Sequence, residues 1–135
     1  MLVPSGEGIM RTIDLAARLG LETTGLSVPL ALPAEAIEKP ESLPTPVLLG
    51  IDPPLIDALI EDGKVALPDL MPGQGLIQVV RPAFGSKSAV IVTGGDASGL
   101  DRAILQLTER LPHIWERGKD RTTIDTVENL SLIHI

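Results

Sequence analysis

The sequence predicts an α/β (α+β) fold: a mixed sheet of about four strands with helices packed on it, in the order α-β-β-α-β-β-α. Three observations carry that expectation. The stretch from Gly75 to Leu111 reads as strand, loop, strand, glycine turn and amphipathic helix. Val47 to Ile51 is a short, wholly apolar run, as expected of a strand buried on both faces. Ser5 to Leu19 has helical spacing and leads into an alternating segment, Thr24 to Leu32.

Each element has a local reason. In the first helix Ile9, Ile13, Ala16 and Ala17 recur at three- and four-residue spacing, and Gly20 is placed to end it. Leu26, Val28, Leu30 and Leu32 then alternate, with Pro29 suggesting an edge strand. Pro33 to Pro46 carries four prolines and four charged residues and reads as an exposed connector within one domain. After Val47–Ile51, Asp52-Pro53-Pro54 starts a helix whose stripe is Leu55, Ile56, Leu59 and Ile60, and Gly63 ends it. Lys64 to Gln74 is a loop with a turn at Pro72-Gly73.

Leu76–Val80 and Ala89–Thr93 form an antiparallel hairpin around a loop at Pro82–Ser88. Gly94-Gly95 gives a tight exit, and Asp96 or Ser98 caps a helix with the stripe Leu100, Ala103, Ile104, Leu107 and Leu111. Pro112 is expected to stop it. A further helix is expected to begin at Thr122 or Thr123. The domain spans 1–129. The remainder, Leu130 to Ile135 (LSLIHI), resembles a translated sequencing adapter and is set apart from functional reasoning; the other reading is an apolar strand.

Composition narrows the function classes. The chain has 135 residues, 44% of them hydrophobic, enough for one domain with its own core. Phe84 and Trp115 are the only aromatic residues, so stacking platforms for bases are not expected. A net charge of −7 argues against nucleic acid as a partner. The absence of cysteine excludes disulfides and thiolate metal sites. No apolar run reaches the ~18–20 residues of a membrane span. No cofactor, metal site or catalytic constellation is expected.

Two groups of residues remain as candidate sites. Gly94, Gly95, Asp96, Ser98 and Gly99 form a glycine-rich turn between strand and helix, which could present N–H groups to an anion. A P-loop would need Lys and Ser or Thr where the chain has Leu100 and Asp101. The alternative is a structural turn with Asp96 as its cap. Asp52 and Asp96 both end strands and could act as an acid pair, or each could simply cap a helix. The second group is His113, Trp115 and Arg117, which could contact a sugar ring or a domain interface.

The strand VLLG (47–50), the helix LIDALIEDGK (55–64), the strand GLIQVV (75–80) and AVIVTGGDASGL (89–100) together resemble a known family. It is the non-catalytic N-terminal domain that precedes the barrel in bacterial alpha-glucuronidases and beta-hexosaminidases. Gly94, Asp96 and Gly99 carry the most specific part, and IDLAARLGLETTGLSVPL (13–30) also fits. A similar arrangement occurs in the periplasmic regulatory subunit of bacterial cellulose synthases. The resemblance, over roughly residues 5 to 111, implies an accessory domain of a larger periplasmic or secreted protein. Its partner would be a neighbouring domain of the same chain, with a glycan as a further partner. The rival expectation is the N-terminal part of a glycoside hydrolase whose catalytic domain lies elsewhere.

Overall fold

A computed structural model describes residues 2–3, 9–22, 32–33, 36–43, 46–51, 54–114 and 132–134. Among the described residues the fold is α+β, with three α-helices and a mixed sheet. The elements in order are β1 (Leu2–Val3), α1 (Ile9–Glu22), β2 (Leu32–Pro33), β3 (Val47–Leu49), α2 (Pro54–Glu61), β4 (Gly75–Phe84), β5 (Lys87–Gly94), α3 (Ala97–Ile114) and β6 (Leu132–His134). The sheet order is β2-β1-β3-β5-β4-β6. Its main body is three strands rather than the four expected: β3 and β5 parallel, β5 and β4 antiparallel. Of the expected strand Thr24–Leu32, only Leu32 lies within the described residues.

Alternation along the strands sorts the core into two layers. On one face Val47, Leu49, Ile77, Val90 and Val92 meet Leu15 of α1 and Leu100, Ala103, Ile104 and Leu107 of α3. On the other, Leu48, Val80, Ala83, Phe84, Ala89 and Ile91 meet Ile56 and Leu59 of α2, with Val65 beyond it. β3 is buried along its whole length, as its unbroken apolar run requires.

Several boundaries depart from the sequence expectation. α1 runs through Gly20 to Glu22, and its buried side is Thr12 and Leu15, with Leu19 packed behind; Ile13 is 55% exposed. The phase is set by α3, against which α1 packs, and that contact outweighs the ~1 kcal/mol cost of an internal glycine. α3 likewise continues past Pro112 to Ile114. Proline there still forfeits its own N–H bond and crowds the carbonyl four residues back, and α3 carries on for only two residues beyond it. β4 extends through Pro82 to Phe84, with a cis Arg81–Pro82 bond and a register irregularity between Val80 and Phe84. The hairpin loop is therefore only Gly85-Ser86, with Gly85 at φ 59°. The connector holds a short 3-10 turn at Pro40–Ser42, and Ile37 and Leu43 pack onto the α2 layer, so it is not simply exposed.

The end of α2 agrees with its sequence. Gly63 has φ 68°, its N–H donates to Ile60, and Lys64 N–H donates to Leu59, the paired bonds of a Schellman motif. Gly63→Ala should cost about 1 kcal/mol by forcing an L residue into the left-handed region, measurable as a shift in the urea midpoint. Space is not the obstacle, since nothing lies within 4 Å of the added carbon.

Candidate functional site

In an open sheet with parallel strands, ligands settle outside the strands' carboxyl ends, where the following helices leave to opposite faces. β3 and β5 make such a place. They are neighbours and parallel, α2 covers one face and α3 the other. Gly50 and Ile51 follow the first strand; Gly94 ends the second, and Gly95 and Asp96 lie just beyond it. Asp52 lies outside the described residues, so the Asp52–Asp96 pair has no described geometry.

The glycine turn itself is described in full. α3 begins at Ala97, which makes Asp96 the N-cap. Its Oδ1 accepts from Gly99 N–H at 2.8 Å, the third helical position, and its carbonyl accepts the first helical bond from Leu100. The same Oδ1 accepts from Gly73 N–H at 2.9 Å. Gly95 N–H donates to the Gln74 carbonyl at 2.9 Å. The donors that an anion would need are thus directed at groups of the protein. Ser98 is exposed and Asp96 half-buried.

The partner of this turn is a second one, Met71-Pro72-Gly73-Gln74. Proline at its second position, Gly73 at φ 79° in the third, and a Gln74 N–H bond to the Met71 carbonyl make it a type II turn. Gln74 Oε1 also accepts from Met71 N–H at 2.9 Å, and Arg102 of α3 reaches the Gly73 carbonyl at 3.4 Å. Gln74 and Arg102 carry no sequence signal of this role, and Gly73 is read from the sequence only as part of a turn. The Pro72-Gly73 turn was the available signal, but its contact with Asp96 spans 23 residues.

The glycines have a steric reason to be there. A Cβ on Gly99 would run into the backbone of Gln74, on Gly94 into Leu100 N and the Gly99 carbonyl carbon, and on Gly95 into the Met71 and Leu70 carbonyls. All three allow backbone to approach backbone, Gly95 and Gly99 across the two turns and Gly94 within its own.

Electrostatics follow the same geometry. The Gly99 and Gly73 N–H groups hold the Asp96 carboxyl below the ordinary aspartate value; partial burial opposes them, and Ser98 N–H and the Arg102 charge add to the lowering. A carboxyl whose folded pKa is depressed stabilises the fold above its unfolded pKa, near 3.8, and that contribution is lost as pH falls through the lower folded value. Asp96→Asn should therefore flatten the decline in urea midpoint below about pH 4, measured between mildly acidic and strongly acidic buffers.

For the second candidate group, His113 lies in the last turn of α3 rather than after its end. Trp115 and Arg117 fall outside the described residues. Among the described residues no cluster of His, Asp or Glu could hold a metal ion, and no helix is long and apolar enough to cross a membrane. No protein-family model matches the sequence, and neither does any curated protein.

Proposed function

We propose that this chain is a non-catalytic accessory or interaction domain of a larger bacterial envelope or secreted protein, one connected with carbohydrates. The observation that carries the reading is the closure of the glycine turn. At the sheet end where ligands usually bind, Asp96 and the Met71–Gln74 turn take up the backbone donors. A turn used this way fixes the ends of β4, β5 and α3 and leaves the domain to act through its surface. The interface is assigned to the end of α3 and the segment after it, with His113, Trp115 and Arg117 contacting a neighbouring domain or a glycan. The carbohydrate connection rests on the resemblance carried by Gly94, Asp96 and Gly99.

The second reading, the N-terminal part of a glycoside hydrolase, rests on the same resemblance and differs in the kind of domain expected beside this one. One measurement tests whether this chain is catalytic, and a second separates the two readings. The purified chain, tested on aryl glycosides, should show no turnover. Adapter-free sequencing of the parent gene past codon 129 should reveal further sheet domains or a membrane anchor. A barrel with paired acids would favour the hydrolase, and turnover by this chain alone would overturn the proposal.

A further inference from the structure

We draw no further inference here: the strongest candidate, the side of α1 turned away from α3, where Ile13 is 55% exposed beside Ala17 and Gly20, is an apolar face for which nothing in the structure shows what covers it.

Discussion

Gly99→Ala should be among the most damaging single-methyl substitutions in the chain. The added carbon meets the N, C and O of Gln74, all backbone atoms, so no side-chain rotation relieves the clash. The Gly99 N–H is held by Asp96, which limits how far α3 can back away. Overpacking of this kind costs about 1–3 kcal/mol even where side chains can yield, and a backbone-to-backbone clash belongs at or above the upper end. Urea unfolding should show a large fall in midpoint with little change in slope. Ser98→Ala, one residue away and exposed, is the control and should be nearly silent. Equal stability of the two variants would mean that the turns do not meet as described.

Asp96→Ala should be the second large effect, by a different route. It adds no volume. It removes the acceptor shared by Gly99 and Gly73 N–H, so one deletion uncaps α3 and frees the Met71–Gln74 turn together. A drop in Tm of several degrees is expected, with faster hydrogen exchange at Gly73 and Gly99. Asp96→Asn keeps a side-chain oxygen and should retain part of the stability while losing the acid dependence. A helix cap acting alone would leave Gly73 exchange unchanged in Asp96→Ala, which makes that amide the decisive one.

Much of this fold was legible because the signals were local. The stripe Ile56 and Leu59 with Gly63 behind it places α2, and the apolar runs place β3 and the β4–β5 hairpin. The errors arose where a distant partner decides. α1 offers two apolar phases, one through Ile13 and one through Leu15, and the choice belongs to α3. Pro82 and Pro112 read as breakers, yet one sits in a strand at a register irregularity and the other in a final helical turn. Gly94, Asp96 and Gly99 stood out from their spacing and Asp96 was legible as a helix cap, but its second bond, to Gly73, was not. It depends on Gly75 pairing with Gly94, which carries the Pro72-Gly73 turn onto the helix start. No window of neighbouring residues contains that relation.

The central claim is that the glycine turn is closed by the protein's own groups and is not a ligand site. Amide chemical shifts of the isotope-labelled chain, titrated to millimolar concentrations of inorganic phosphate and, separately, of xylo- and chito-oligosaccharides, address it most directly. The amides of Gly73, Gly95 and Gly99 should stay where they are throughout both titrations. Saturable movement of those three amides with either ligand would contradict the account and make the turn a binding site.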